Sequence, residues 1–168
     1  MLKILIPVDG SRNCQFAVKH VIKEFMNNTA MEIHLLNVQS PFSRDIARFV
    51  GRKTLHDYHR DEAEKVLAPI KKMFDGLSIP YSAHAEVGDR AKVITDTAHR
   101  LRCHHIVMST ARKNSLTRLV ENSVTNKVLA LTSVPVEVIA GDSVSKWERW
   151  GIPAGVGAML ALMLASAD

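Results

Sequence analysis

Groups that could hold an anion are concentrated in the segment that follows a short apolar run at residues 105–109. Hydroxyl and amide donors and two cations occur there close together, at Ser109, Thr110, Arg112, Lys113, Asn114 and Ser115. Guanidinium and ammonium groups form strong, charge-assisted hydrogen bonds with phosphate oxygens. One interpretation is therefore a phosphate or other anion site built from side chains. The competing interpretation is that the same side chains fill the space and leave no room for a ligand.

Asp9 is a second candidate, because it directly follows the apolar run at residues 2–8 and precedes Gly10 and Ser11. Its carboxylate could contact a ligand there. It could also accept a backbone hydrogen bond in a turn that caps the next helix, and the two roles are compatible.

The other chemistry-bearing residues do not form a recognisable site. His56 and His59 are three residues apart on a predicted helix, but no third ligand converges with them, so we predict no metal site. Cys14 lies near a predicted helix start, where a thiolate is favoured, yet its apolar neighbours favour a core position. The chain shows neither a Ser-His-Asp order nor a nucleophile elbow, and we predict no catalytic residues.

Apolar runs alternate with segments of helical periodicity, and these elements must position the candidate residues. Strands are predicted over residues 2–8, 31–38, 79–87, 105–109 and 134–139, and helices up to residue 27 and over 54–74, 91–101 and 116–131. This alternation indicates an α/β fold with a parallel sheet and right-handed crossovers. Ligands of such sheets bind beyond the carboxyl ends of the strands, which fall here at Asp9 and at residues 38–41, 87–88 and 109–113.

Length and composition indicate one globular domain that needs no disulfide framework or structural zinc. The chain has 168 residues, of which 46% are hydrophobic and 23% charged, with two cysteines and no CxxC spacing. Its net charge is +5, but aromatic residues make up only 5%, so a solvated basic surface is favoured over nucleic-acid binding. The apolar start is too short for a signal sequence, and we expect a cytoplasmic protein, peripheral to the inner membrane at most.

Several segments resemble the universal stress protein family. They occur in the family's order over residues 1–140, at Ile4–Ser11, Leu36–Val38, Val87–Ile94, His105–Met108, Asn122–Val124 and Val134–Val136. The resemblance implies a three-layer α/β fold of the adenine nucleotide alpha hydrolase type, with five parallel strands in the order 3-2-1-4-5. It also implies a homodimer formed through the fifth strand, whose unpaired edge would otherwise be exposed.

The resemblance also identifies where a nucleotide would bind and what this chain lacks. ATP-binding members carry three glycines and a hydroxyl after the fourth strand, because glycine lets backbone N–H groups approach phosphates closely. The matching positions here are Ser109, Arg112, Asn122 and Ser123, so only the hydroxyl of Ser123 is retained. Asp9 and Val38 would be the contacts on the adenosine side. The cofactor prediction is therefore none or ATP.

Three functions remain open on these observations. The first is a stress-response binding or signalling module that acts as a dimer and lacks turnover. The second is an ATP-binding switch with slow hydrolysis and a phosphate site built from side chains. The third is a membrane-associated regulator that acts through the C-terminal segment.

Residues 141–168 are predicted to be an addition to a family domain that covers residues 1–140. Residues 141–145 resemble a hinge, and residues 146–150 place two tryptophans beside two cations, as is typical of a membrane interface. The next 17 residues carry no charge. As a helix they would span about 25 Å, short of a hydrocarbon core of about 30 Å. We expect residues 146–167 to pack on the dimer or to dock on a protein or membrane partner.

Overall fold

A computed structural model describes residues 1–43, 48–112 and 124–143 of the chain. Its strands are β1 (Leu2–Pro7), β2 (Met31–Gln39), β3 (Tyr81–Val87), β4 (His105–Arg112) and β5 (Val136–Ser143). Its helices are α1 (Cys14–Asn27), α2 (Arg52–Gly76), α3 (Arg90–Arg100) and α4 (Val124–Leu131). The predicted alternation of strands and helices is confirmed.

The five strands form one parallel sheet in the order β3-β2-β1-β4-β5, as predicted. β1 occupies the centre, where its register pairs Leu2 with Met31 and Pro7 with Leu36. A central strand of a parallel sheet is covered on both faces, and this is why β1 is a nearly continuous apolar run with Ile4, Leu5 and Ile6 all buried.

Helices cover both faces of the sheet and create two separate apolar cores. On one face, α1 and α2 pack over Ile4, Ile6, Ile33 and Leu35. On the other face, α3 and α4 pack over Leu5, Leu36, Val38, Ile106 and Met108. Alternate residues of β1 and β2 therefore serve opposite cores, as the period of a strand requires. The result is the predicted three-layer α/β architecture.

β4 and β5 are longer than the sequence pattern indicated. Residues 110–112, predicted to form a loop after a strand that ends at residue 109, are part of β4, and Ser109 pairs with Ile139. Pairing continues to Arg112 opposite Ser143, with an irregularity after Thr110. The prediction was wrong because residues 110–112 contain no glycine and β5 supplies partners for Thr110 and Arg112.

The extension of β5 also corrects the predicted hinge. Gly141–Ser143 belong to β5, so the first three residues of the predicted hinge are strand. β5 begins at Val136, two residues later than predicted. Residues 113–123 and 144–168 lie outside the described part of the structure, and the predictions for them are not tested. Within the described ranges, no helix is long and apolar enough to cross a membrane.

Gly141 gives a first testable prediction, because it lies where β5 passes close to its neighbours. It is buried, and an added Cβ would lie 3.1 Å from the Thr110 carbonyl oxygen and would also contact the Asn13 side chain. We expect Gly141→Ala to reduce the free energy of unfolding by about 1–3 kcal/mol, measured by urea denaturation. Gly76→Ala is the control, since a Cβ there meets nothing within 4 Å. Equal stability of the two variants would contradict the close approach.

Candidate functional site

A cavity of about 350 Å³ lies at the carboxyl ends of the strands. It lies where the order of the sheet reverses between β1 and β4, the position at which open α/β sheets bind ligands. Its described lining comes from the ends of β1, β2 and β4 and from all four described helices, and includes Asp9, Cys14, Asn37, Val38, Glu62, Arg90, Ile94, Met108, Ser109, Val124 and Thr125.

The turn after β1 holds Asp9 at the edge of this cavity. Gly10 has a φ of +78°, a left-handed conformation that favours glycine. This turn brings the Ser11 amide to Asp9, whose Oδ1 accepts a hydrogen bond from it at 2.9 Å. Ser11 Oγ in turn accepts from the Cys14 amide at 3.2 Å, at the start of α1. The predicted hydrogen-bonded turn at Asp9 is confirmed, but the side chain that accepts from the start of α1 is that of Ser11. The Asp9 side chain remains exposed beside the cavity.

Asn37 fixes the end of β2 from inside. Its side chain is 2% exposed. Its Nδ2 donates to the Val8 carbonyl at 2.7 Å, and its Oδ1 accepts from Gln39 Nε2 at 2.7 Å. Both polar atoms of a buried amide are thus satisfied, and the ends of β1 and β2 are joined by a side chain as well as by their ladder. Sequence reasoning did not assign Asn37 a role, although an isolated polar residue inside an apolar strand was a usable signal.

The described lining combines apolar walls with charges of both signs. Val38, Ile94 and Met108 are buried and form part of the apolar wall. Asp9 and Glu62 contribute carboxylates, and Arg90 contributes a cation from the first residue of α3. Such a cavity can bind a ligand whose flat apolar group packs against the wall and whose polar groups form hydrogen bonds with the charged side chains.

Three of the predicted site residues meet in this cavity, namely Asp9, Val38 and Ser109. Arg112 lies on the described backbone of β4, but its side chain is outside the described part, as are Asn122 and Ser123. The next two residues, Val124 and Thr125, do line the cavity. Glu62 and Arg90 were not predicted, because they belong to helices that the sheet brings in from distant parts of the chain.

A second cavity of about 430 Å³ adjoins the first and shares Arg90 and Val124 with it. The other residues of its described lining are Ser40, Pro41, Gly88, Asp89, Ala91 and Lys127. It lies between the loop after β2, the start of α3 and the face of α4. The site therefore consists of two neighbouring compartments.

Cys14 lines the first cavity but is poorly suited to act as a nucleophile. Burial raises the pKa of its thiol above the ordinary value, and the Asp9 carboxylate raises it further. The thiol is therefore the favoured form at neutral pH, whereas nucleophilic attack needs the thiolate. The predicted core position of Cys14 is confirmed.

His59 packs against aromatic rings on α2 and the loop before it. Its ring centroid lies 4.9 Å from that of Phe42 and 5.9 Å from that of Tyr58. Over residues 1–43, 48–112 and 124–143, no group of three or more His, Cys, Asp or Glu side chains is placed to hold a metal ion.

A polar network lies on the α3 side of the sheet, outside the lining of either cavity. Glu32 Oε1 lies 3.1 Å from Lys3 Nζ and 3.1 Å from His34 Nε2. His34 Nδ1 lies 3.2 Å from His84 Nε2. Because a carboxylate only accepts, His34 donates from Nε2 to Glu32, and its Nδ1 accepts from His84 when both rings are neutral.

This network predicts a pH dependence of stability. Burial lowers the pKa of His84 below its ordinary value of 6.5, and the neighbouring His34 and Arg100 lower it further, against an opposing effect of Glu86. The folded state then binds fewer protons than the unfolded state, so this stability is present above pH 6.5 and is lost as the pH falls through the lowered pKa. We expect His84→Gln to flatten the pH dependence of the free energy of unfolding in this window.

Urea denaturation at a series of pH values measures this dependence. His56→Gln is the matched control, because the His56 side chain is 80% exposed. Identical pH profiles for wild type and His84→Gln would contradict the prediction.

The model of the Universal stress protein family matches residues 1–140. A curated universal stress protein of Methanocaldococcus jannaschii is 29% identical over 143 residues, which cover 82% of this chain and 81% of that protein.

Solved structures show the same fold. Universal stress protein UspA from Lactobacillus plantarum is similar with a TM-score of 0.66 and 22% identity, covering 82% of this chain and 97% of that one. A universal stress protein family protein from Arabidopsis thaliana, crystallised with AMP bound, has a TM-score of 0.60 and 18% identity over 84% of this chain and 92% of that one.

Proposed function

The chain belongs to the universal stress protein family, and we propose that it is a non-catalytic binding module that takes an adenine mononucleotide and acts as a dimer. The observation that carries this proposal is the cavity at the carboxyl ends of the strands, with Asp9 and Val38 at its edge and wall. The AMP bound in the Arabidopsis thaliana structure supports the choice of ligand class.

The lining suits a nucleoside. At about 350 Å³ the cavity is near the lower end of the range of small-molecule sites. Val38 and Met108 offer an apolar surface to a base, while the carboxylates of Asp9 and Glu62 can accept hydrogen bonds from sugar hydroxyls. The hydrogen bond from Asn37 already fixes the ends of β1 and β2. Ligand binding would therefore lose less conformational entropy at these strand ends.

The course of β4 argues for a short phosphate group. A triphosphate cradle needs backbone N–H groups that point at the ligand from a glycine-rich loop. Here Ser109, Thr110 and Arg112 are paired with β5 instead. The ATP-binding switch with slow hydrolysis remains the alternative function, and it requires magnesium ATP to bind more tightly than AMP.

The absence of turnover is proposed from the state of the groups in the lining. Cys14 is disfavoured as a thiolate, and Ser11 Oγ is engaged with the start of α1. Asp9 holds the turn that precedes this helix. Nucleophilic catalysis requires a nucleophile paired with a general base, and these groups do not form such a pair.

The experiment is a calorimetric titration of AMP into wild type and Asp9→Asn. Asparagine can keep the turn, because its amide oxygen also accepts from the Ser11 amide, but it removes the charge. We expect wild type to bind AMP and the variant to bind it about 10-fold more weakly. Absence of binding to wild type would overturn the proposed function.

Dimerisation is proposed through β5, which is an edge of the sheet. Val138 on this strand is 39% exposed, and an unpaired apolar edge is a site of association. We expect Val138→Lys to shift the molecular mass measured by light scattering from dimer to monomer. Val87→Lys is the control, because Val87 is 46% exposed on β3 at the opposite edge. A wild-type monomer, or an unchanged dimer in Val138→Lys, would contradict the proposal.

For the C-terminal segment the proposal is docking. Residues 146–167 combine two tryptophans, two cations and an uncharged stretch, a composition that suits a protein or membrane surface. We propose that a cytoplasmic domain is brought to its partner by this segment. Fractionation of the full chain and of a truncation after Ser143 tests this, and equal distribution of the two forms would contradict it.

A further inference from the structure

The two neighbouring cavities differ in charge. In the first, the described lining carries the carboxylates of Asp9 and Glu62 and one cation, Arg90. In the second, it carries the cations of Arg90 and Lys127 and one carboxylate, Asp89. We call the first the acidic cavity and the second the basic cavity. Arg90 stands at their common boundary.

The charged groups of the basic cavity differ in whether they already have a hydrogen-bond or ion-pair partner. Asp89 is the N-cap of α3, and its Oδ1 accepts from the Lys92 amide at 3.0 Å. Within the described part of the chain, Arg90 and Lys127 form no ion pair or side-chain hydrogen bond. Nearby cations do so, since Lys92 pairs with Asp96 at 2.7 Å and Arg100 with Glu86 at 2.9 Å.

Two cations that line one concave surface, and that have no partner among the described residues, favour an anion there. The acidic cavity disfavours the same anion, because its lining holds the carboxylates of Asp9 and Glu62, of which only Glu62 is already paired with a cation, Lys65, in the described part of the chain. The Gly88 amide is not available to an anion, since it already donates to the Gln39 carbonyl at 2.9 Å. The charges that would recognise an anion are therefore those of the Arg90 and Lys127 side chains.

We infer that the phosphate of the bound nucleotide lies in the basic cavity, between Arg90 and Lys127, while the nucleoside occupies the acidic cavity. This inference rests on the proposed function and specifies its ligand as a nucleoside monophosphate that crosses the boundary at Arg90. The anion is then held from α3 and α4. It is not held at Ser109, Arg112 and Asn122, the positions that the family resemblance matches to the glycines of ATP-binding members.

Calorimetric titration with adenosine and with AMP tests the inference. We expect wild type to bind AMP about 10- to 100-fold more tightly than adenosine. Lys127→Ala should remove most of this difference and leave adenosine affinity unchanged, because Lys127 lines only the basic cavity. Lys92→Ala is the matched control, since Lys92 lines neither cavity and is paired with Asp96. AMP affinity of wild type should also fall with added salt.

The outcomes separate the inference from the function on which it rests. Equal affinities for adenosine and AMP would overturn the phosphate site and leave the nucleoside cavity standing. Undiminished AMP affinity in Lys127→Ala, together with weakened affinity in Arg112→Ala, would place the phosphate beside β4 and overturn the inference. Absence of binding for both ligands would overturn the proposed function and the inference together.

Discussion

Val38→Trp is expected to abolish AMP binding. Val38 is 9% exposed, lies on β2 and forms part of the wall of the acidic cavity. An indole side chain is far larger than an isopropyl group, and a cavity of about 350 Å³ that must hold a base has no room for both. The measurement is calorimetric titration with AMP, and the expected result is no detectable heat at ligand concentrations that saturate wild type.

The control is the same change on the neighbouring strand. Val87 pairs with Gln39 at the end of β3, is 46% exposed and does not line the cavity. Val87→Trp is therefore expected to bind AMP as wild type does. Far-ultraviolet circular dichroism of both variants shows whether they fold, and Val38→Phe provides a smaller obstruction if Val38→Trp does not. AMP binding by a folded Val38→Trp at wild-type affinity would place the ligand elsewhere.

Introducing three glycines is expected to confer binding of a triphosphate. The variant carries Ser109→Gly, Arg112→Gly and Asn122→Gly together, at the positions that the family resemblance matches to the glycines of ATP-binding members. Each glycine disfavours an extended strand by about 0.5–1 kcal/mol, which weakens the pairing of β4 with β5 beyond Ser109. Backbone N–H groups released in this way can contact phosphate oxygens, and a few such hydrogen bonds to a charged group raise affinity by about 10- to 100-fold.

The matched control replaces the same three residues with alanine. Alanine removes the side chains but does not give the backbone the conformational freedom of glycine. We expect magnesium ATP to bind the glycine variant at least about 10-fold more tightly than the alanine variant. Equal affinities would show that side-chain bulk, and not the extended course of β4, is what keeps a triphosphate out.

The centre of the sheet was predictable because β1 and β2 are buried on both faces. Runs such as Ile4–Ile6 and Leu35–Leu36 are apolar without interruption, and only a covered parallel sheet makes that pattern favourable. The order of the strands came from the family resemblance, since periodicity does not specify which strands are neighbours. The end of β4 was missed because Thr110 and Arg112 are polar and because the end of β5, where Arg112 pairs with Ser143, also looks like a loop in sequence.

The residues of the site were predictable only in part, because some of them are brought together only by packing between distant segments of the chain. Asp9 and Val38 directly follow or end strands, so their place at the carboxyl edge followed from the topology. Glu62 and Arg90 reach the cavity only through the packing of α2 and α3 on the sheet, and nothing in their local sequence indicates which face they take. The charge difference between the two cavities is therefore a property of the fold and not of any motif.

One comparison tests most directly whether this member of the family has exchanged a triphosphate site for a mononucleotide site. It is the calorimetric titration of the wild-type full chain with AMP and, separately, with ATP and magnesium. An extended β4 paired with β5 through Arg112 predicts the lower Kd for AMP. Tighter binding of magnesium ATP would contradict the assignment, and so would the absence of heat with either nucleotide.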